Sequence, residues 1–409
     1  MINTGDTAWV LTCTGLVMLM TPGLAFFYGG MVRRKNILGV LMQCFTVLCI
    51  LTLQWVLFGY SLSFSPGSKF IGSLSWFGLH GVGSAPYAAY GRGIPHEAFM
   101  IFQAMFAIIT PALIIGAFAE RMKFSAFLIF TILWATLVYD PVCHWIWGVG
   151  GWLKDLGVID FAGGAVVHIN AGIAALVTAL FIGKRIGYNK MPLPPHNLPF
   201  TVLGTALLWF GWFGFNAGSA LSASGLAVHA LVATHVAAAT AGLTWALLEW
   251  IYTGKPTVFG TVTGSIAGLA TVTAASGYVD VLAAIIIGVL ASLLCFVCVS
   301  MLKPRLGYDD SLDAFGVHGA GGILGMLSTG FFASKAINPG GPEGALFGNP
   351  HQLLVQLVAV LAVVAYSLAA TYILYRAVNL FVAVRVTTKD EILGLDLTQH
   401  NETAYTVLE

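Results

Sequence analysis

Two histidines hold matching positions in separate apolar segments of this 409-residue chain. An imidazole exchanges protons near neutral pH, so two such rings in contact can hand a proton through an apolar interior. Small residues at four-residue intervals around each ring allow helices to approach closely and leave the ring free to face a neighbour. The two segments read Gly164-x-x-x-His168-x-x-x-Gly172 and Ala314-x-x-x-His318-x-x-x-Gly322.

The depth of the two histidines predicts that their rings meet. Asp160 and Asp310 each stand eight residues before a histidine, and we expect them at opposite edges of an apolar layer. Each ring then lies about 12 Å below its own edge of a layer about 30 Å thick, so the rings are roughly 6 Å or less apart along the layer normal. A single buried histidine more often only packs and bonds a backbone carbonyl, but an ionisable pair at matched depth favours a functional interpretation.

Four aromatic residues and one serine are expected near the outer ends of neighbouring segments. Phe102 and Phe106 are four residues apart and share a helix face, while Trp147, Phe215 and Ser219 fall near the ends of their segments. Aromatic faces attract a small desolvated cation, and a serine oxygen accepts an N–H hydrogen bond. An interfacial aromatic belt or core packing is the alternative for each ring. No ring of carboxylates or repeated carbonyl motif is visible, so a metal-cation channel fits poorly.

Composition determines which elements position these residues. The chain is 58% hydrophobic and only 9% charged, with a mean hydropathy of +0.87 and a net charge of +1. So few charges cannot cover a water-exposed surface, and the absence of a basic run argues against nucleic-acid binding. About 20 apolar residues cross a membrane as a helix, and the sequence predicts eleven such spans: 7–32, 37–62, 97–119, 124–148, 163–183, 198–217, 226–250, 257–276, 279–301, 313–333 and 350–384.

Basic residues predict the orientation of these spans. With the N-terminus outside, fourteen of the eighteen Lys and Arg residues fall on the inner side, as the positive-inside rule requires. We therefore predict an all-α polytopic membrane protein with N-out/C-in topology, built as an inverted 5+5 repeat plus a long C-terminal helix. Residues 1–384 form one transmembrane domain in this prediction, and residues 385–409 form a cytosolic tail.

Several longer motifs closely resemble the ammonium transporter family that includes the Amt, Mep and Rhesus proteins, and specifically its Amt branch. The similarity covers essentially the whole chain. The matching segments are Pro22 to Asn36, Asp160 to Asn170, Trp209 to Ser219, Phe315 to Gly319, and Gly394 to Tyr405.

The resemblance implies a role for each candidate residue. Trp147, Ser219 and Phe102 would recruit ammonium at an outer site, and Phe106 with Phe215 would form a paired-phenyl gate. His168 and His318 would be the twin histidines of the pore. Asp160 would organise backbone near the site without binding substrate, and Trp212 would be structural beside it.

The resemblance also implies activity and partners. The protein would be a homotrimer in the cytoplasmic membrane, in contact with lipid, and would conduct ammonia and a proton after removing the proton from ammonium. It would not be an enzyme and would need no cofactor or metal, and its tail would contact a P-II signalling protein. The alternative is an ammonium sensor with the same fold that signals through its tail. Two residues depart from the family pattern: Asn401 stands where Gly is usual, and Asp140 has no assigned role.

Overall fold

Long apolar runs determine the helices of this chain, because a backbone in lipid must satisfy its hydrogen bonds internally. The structure is a computed structural model that describes residues 1–405, and within that range it contains helices, turns and two isolated β-bridges. The main helices are α1 (Thr4–Met31), α2 (Arg34–Phe64), α3 (His96–Phe118), α4 (124–147), α5 (Gly164–Ile182), α6 (Leu198–Gly218), α7 (Gly225–Thr253), α8 (Val258–Val272), α9 (Val281–Leu306), α10 (315–332) and α11 (Pro350–Phe381).

One helix occupies each of the eleven predicted spans. Within residues 1–405, nine helices are long and apolar enough to cross a membrane. The helix α8 is shorter, with 15 residues, and α10 begins with a π-helical turn that precedes its regular part. The chain is a polytopic membrane protein, as predicted, while the number of crossings and the N-out orientation stay predictions.

Glycines allow α1 to lie directly against α6, the first helices of the two predicted repeats. A Cβ at Gly204 would overlap the backbone nitrogen of Phe27, and a Cβ at Gly30 would overlap the hydroxyl of Thr201. Close backbone approach of this kind is how helices associate where lipid removes the hydrophobic driving force. The contact between α1 and α6 therefore holds the two halves of the protein together.

Buried charges connect the loops at the other end of the bundle from the outer aromatic residues. The carboxylate of Glu120 pairs with Arg33 at 3.0 Å and with Arg185 at 3.3 Å, and Arg185 also pairs with Asp309 at 2.8 Å. Burial raises the pKa of Glu120, but the charges of Arg185 and Arg33 outweigh it and hold that pKa below its ordinary value. Burial also raises the pKa of Asp309, but the hydrogen bonds and charge of Arg185 outweigh it and hold that pKa below its ordinary value. We call these four residues the inner charge network.

The described part of the tail docks on this network. Two short helices, α12 (Thr388–Leu393) and α13 (Leu395–His400), follow α11. The side chain of Asn36 donates to Glu120 at 3.0 Å and accepts from the backbone of Leu395 at 2.8 Å. Asp396 accepts from the backbone of Gly39 at 2.8 Å. One asparagine thus links the tail to a buried carboxylate; the last four residues of the predicted tail, 406–409, lie outside the described residues.

Asn401, the departure noted in the tail, takes a left-handed backbone conformation with φ of 54°. Asparagine tolerates this conformation better than other side chains do, although glycine adopts it more readily. The turn after α13 therefore forms with asparagine in place of the usual glycine.

Replacement of Glu120 by Gln is expected to lower the stability of the folded protein by about 3 kcal/mol, because it leaves two partly buried arginine charges with one partner fewer. Both lowered pKa values belong to carboxyl groups, so their contribution is fully present above an ordinary carboxyl pKa of about 4 and is lost as pH falls through the lower folded value. Thermal unfolding of the purified protein in detergent, measured from neutral to acid pH, tests both statements.

The matched control is Glu97→Gln, since Glu97 is exposed at the start of α3. We expect this control to unfold at nearly the same temperature as the unaltered protein. Equal unfolding temperatures for the Glu120 and Glu97 variants would contradict the assigned importance of the inner charge network.

Candidate functional site

Both histidine-bearing helices begin with a π-helical turn. α5 starts with a π-helical turn at Gly164–Ile169, and α10 starts with one at Phe315–Gly319. Such turns are rare and occur frequently at functional sites. Each contains its histidine, so the local backbone that carries the two imidazoles is irregular in the same way.

A buried carboxylate caps each of these two starts. Asp160 accepts hydrogen bonds of 2.7–3.2 Å from four backbone amides, those of residues 163–166. Asp310 accepts from the amides of Ala314 and Phe315 at 3.2 and 2.8 Å. The first amides of a helix have no partner inside it, and these carboxylates supply one. Burial raises the pKa of Asp160, and the four amide bonds oppose that rise.

Glycine contacts bring α5 and α10 together in antiparallel fashion. A Cβ at Gly172 would overlap the backbone nitrogen of Gly319, and a Cβ at Gly322 would lie 2.8 Å from the carbonyl oxygen of Gly164. The start of each helix therefore packs against the later part of the other. Any side chain at these positions would push the two histidines apart.

The two imidazoles lie face to face at this crossing. The ring centroids of His168 and His318 are 5.2 Å apart, with 15° between the ring planes. Both residues are buried, and both nitrogens of His168 and Nδ1 of His318 have no hydrogen-bond partner among the described residues. Trp212 stacks on His168 at 5.5 Å, and its own N–H donates to Thr273 at 2.9 Å. These histidine nitrogens are thus available to each other or to a small molecule between them.

A narrow apolar cavity surrounds the histidine pair. Besides the two histidines and the indole of Trp212, its walls consist of aliphatic side chains and two phenylalanine rings. These remaining wall residues are Met20, Leu24, Phe27, Ile109, Leu113, Val167, Leu208, Phe215 and Ile266. Transfer of an ion into such surroundings is costly, whereas a neutral solute pays much less.

Two phenyl rings close the outer end of this cavity. The rings of Phe106 and Phe215 lie 4.3 Å apart, and Phe215 lies 6.1 Å from His168. On its other side Phe106 meets the indole of Trp147 edge to face at 5.8 Å. The phenyl pair therefore separates the histidines from the space beyond Trp147.

That outer space is a second, wider cavity, which we call the vestibule. Trp147, Ser219 and Asp160 line it. The Trp147 N–H donates to the Asp160 carbonyl at 2.9 Å, which fixes the indole. The Ser219 hydroxyl donates to the Phe215 carbonyl at 2.9 Å, so its oxygen keeps its lone pairs for an N–H donor.

Phe102 stands apart from the other outer residues. It is fully buried, does not line the vestibule, and packs edge to face on Phe106 at 5.1 Å. A Cβ at Gly218 would lie 2.8 Å from its ring. In the structure, Phe102 supports the phenyl pair from behind.

Two polar residues escaped the sequence analysis. Gln103 lines the vestibule, and its side-chain oxygen has no partner among the described residues. Its position next to Phe102 in a span with few polar residues was the available signal. Thr273, which accepts the hydrogen bond from Trp212, gave no such signal in the sequence, because threonines are common in these spans.

Asp140, whose role was open, is buried and accepts hydrogen bonds from Gln54 at 2.8 Å and Ser63 at 3.1 Å.

Comparison with known proteins adds independent findings. Residues 8–405 match the model of a family described as the Ammonium Transporter Family. A Bacillus subtilis protein named "Ammonium transporter" is 51% identical over 401 residues, 98% of each chain. The structure of Candida albicans Mep2 superposes with a TM-score of 0.91 at 38% identity, covering 98% of this chain and 90% of Mep2. A structure titled "Sensor Amt Protein" has a TM-score of 0.88 at 28% identity, covering 97% of this chain and 98% of its own.

Replacement of Gly172 by Ala is expected to destabilise the protein by about 1–3 kcal/mol, the usual range for overpacking a tight contact, because the new methyl overlaps the backbone of α10. Thermal unfolding in detergent measures this loss. The control is Gly225→Ala, since a Cβ at Gly225 meets nothing within 4 Å. If Gly172→Ala unfolds at the same temperature as the control, the crossing is not as tight as the structure indicates.

Proposed function

The chain belongs to the Ammonium Transporter Family, and from that premise we propose that it transports ammonium across a cytoplasmic membrane. The observation that carries the proposal is the pair of buried imidazoles, three of whose four nitrogens have no hydrogen-bond partner among the described residues, in an apolar cavity behind a phenyl gate. The curated relatives named as ammonium transporters support the substrate.

Recruitment is proposed at the vestibule end of the pore. Trp147 is half-buried in the vestibule wall, and its indole face is held by the bond to Asp160. A cation over an indole face gains the quadrupole attraction, and the Ser219 oxygen accepts one of its N–H groups. Phe102 contributes by holding Phe106 in place behind this site.

Deprotonation is proposed as the step that admits substrate to the pore. An intact ammonium ion pays a large desolvation penalty in an apolar cavity, whereas ammonia is neutral. Potassium has no proton to lose, so the same cavity excludes it. Phe106 and Phe215 close on each other at 4.3 Å, and ammonia passes when these rings rotate.

The histidine pair is proposed to carry the released proton. Imidazoles change protonation near neutral pH, and the two rings are close enough for transfer through one hydrogen bond or one bridging molecule. An N–H bond of ammonium breaks in the vestibule and an N–H bond forms on an imidazole of the pair; ammonia and the proton then move separately, which gives net movement of one positive charge for each ammonium.

Assembly as a homotrimer is the proposal for the membrane state. His235 lies ten residues into α7, about 15 Å from the helix start, and its side chain is exposed among exposed valines. Lipid tails cannot satisfy an imidazole at that depth. Contact with another copy of the chain would cover this face, and the docked tail offers a surface for a P-II signalling protein at the inner end.

An ammonium sensor is the second candidate function, favoured by the likeness to the solved structure titled "Sensor Amt Protein". The two functions share recruitment at the vestibule and differ in flux. A sensor would bind ammonium and change the position of its tail, while a transporter would also generate current.

A double replacement, His168→Ala with His318→Ala, is expected to abolish ammonium-dependent current. No titratable group then remains among the described residues that line the apolar cavity around the histidines, so nothing there can carry the proton. The measurement is solid-supported-membrane electrophysiology of proteoliposomes. An unaltered protein that binds ammonium without producing current would favour the sensor.

The control is His235→Ala, which removes a histidine at membrane depth but outside the pore. Its current is expected to match that of the unaltered protein. Persistence of a full, ammonium-selective current in the double variant would exclude the proposed role of the histidine pair.

A further inference from the structure

The two helix starts differ at one repeat-related position. Three residues after each capping carboxylate the backbone is left-handed, at Gly163 with φ of 111° and at Asp313 with φ of 63°. A side chain at Gly163 has no room, since its Cβ would lie 2.7 Å from Val167 and 3.4 Å from the indole of Trp147. The inner position instead carries a carboxylate. An aspartate tolerates this backbone better than most residues do. At this repeat-related position, therefore, only the inner helix start carries an acid.

Asp313 faces the same inner cavity as the second histidine. This cavity is narrow, with room for about one water molecule, and its walls include Asp313, His318 and Tyr28. His318 is 97% buried, being 3% exposed, and its Nδ1 has no partner among the described residues. A small molecule inside this cavity is therefore in contact with a free imidazole on one side and a carboxylate on the other.

The other two acids of this region are already engaged. Asp309 pairs with Arg185 at 2.8 Å, and Asp310 accepts the amides that begin α10. Burial and the charge of Asp313 raise the pKa of Asp310 to about 6. Of the three, Asp313 alone lines the inner cavity.

The charged and titratable groups around Asp313 come from several elements. Lys303, at the end of α9, pairs with its carboxylate and donates to the backbone of Asp310 at 3.2 Å. Asp310 lies beside it, and the hydroxyls of Tyr28, Tyr188 and Tyr308 complete the surroundings with His318. Lys303 is therefore the charge partner of this carboxylate.

We propose that Asp313 accepts the proton that leaves His318 at the inner end of the pore and passes it to ammonia emerging there. The N–H bond of the imidazolium breaks and a carboxyl O–H bond forms, directly or through one water. That O–H bond then breaks as the proton joins ammonia, which leaves as ammonium and restores the carboxylate. This inference rests on the proposed transport function and names the group that completes it.

The order of basicity favours the second transfer, from the carboxyl group to ammonia, whereas the first, from imidazolium to carboxylate, runs uphill on ordinary pKa values. An amine holds a proton far more tightly than a carboxylate does, so ammonia takes the proton from Asp313 readily. A weak acceptor of this kind releases the proton quickly and does not trap it.

Replacement of Asp313 by Asn tests the inference, because Asn fits a left-handed backbone and can still accept a bond from Lys303 but cannot carry the proton. Ammonium-dependent current in proteoliposomes is expected to fall about a hundredfold, the lower end of the usual contribution of a proton-transfer group. A high concentration of a small buffer such as imidazole, trapped inside the proteoliposomes, is expected to restore the current, since it replaces the missing proton acceptor. Asp313→Glu, which keeps a carboxylate, is expected to retain current.

Lys303→Gln separates this role from a structural one. If Asp313 only anchors Lys303, both replacements lower the current equally and buffer restores neither, and the inference is overturned. If Asp313 accepts the proton, Lys303→Gln keeps most of its current. Should the Asn variant fail to assemble, Asp313→Ser is measured in its place with the same buffer series. Unaltered protein without any current overturns the transport proposal together with this one, whereas normal current in Asp313→Asn overturns this one alone.

Discussion

The glycine crossing between α5 and α10 is the constraint on which the rest of the site depends. Two imidazoles can lie 5.2 Å apart only if the backbones that carry them approach to glycine distance. Gly172 and Gly322 make that approach possible, and the capping carboxylates of Asp160 and Asp310 allow each helix to begin inside the protein without unsatisfied amides. The crossing brings the two histidines together. The apolar cavity walls and the phenyl pair then isolate them from their surroundings.

The inner charge network extends the same logic to the tail. Glu120 is too deeply buried to remain charged alone, and its two arginine partners come from the connection between α1 and α2 and from the loop after α5. Asn36 then joins that carboxylate to the backbone of Leu395. The position of the tail is consequently tied to the loops that surround the inner cavity, without direct contact with the pore.

Hydropathy and spacing predicted much of this arrangement. Each predicted span contains a helix, and the equal offset of the two histidines from Asp160 and Asp310 indicated equal depth, because a helix rise converts residue counts into distance. The π-helical starts were not predictable, since one extra residue in a turn leaves the apolar pattern of a buried helix unchanged. The support of Phe106 by Phe102 also escaped prediction: spacing places both rings on one face but does not say which reaches the vestibule.

The charged residues show the same limit in another form. The number of basic residues in each loop predicted the side on which Arg33 and Arg185 lie. It did not predict that they pair with buried carboxylates, because those carboxylates are up to 124 residues away in the chain. Asp313 was invisible for a related reason. Its meaning appears only when its left-handed backbone is superposed on that of Gly163 across the repeat.

The antiparallel crossing has an electrostatic consequence for the proposed transport. Each helix carries a macrodipole with its positive end at the N-terminus, and α5 and α10 present those ends from opposite directions. Their fields along the membrane normal largely cancel at the imidazoles, so neither ring is favoured as the resting place of a positive charge by the helices themselves. A pore of this design contains no built-in rectifier at its centre, and the electrochemical gradient sets the direction of net movement.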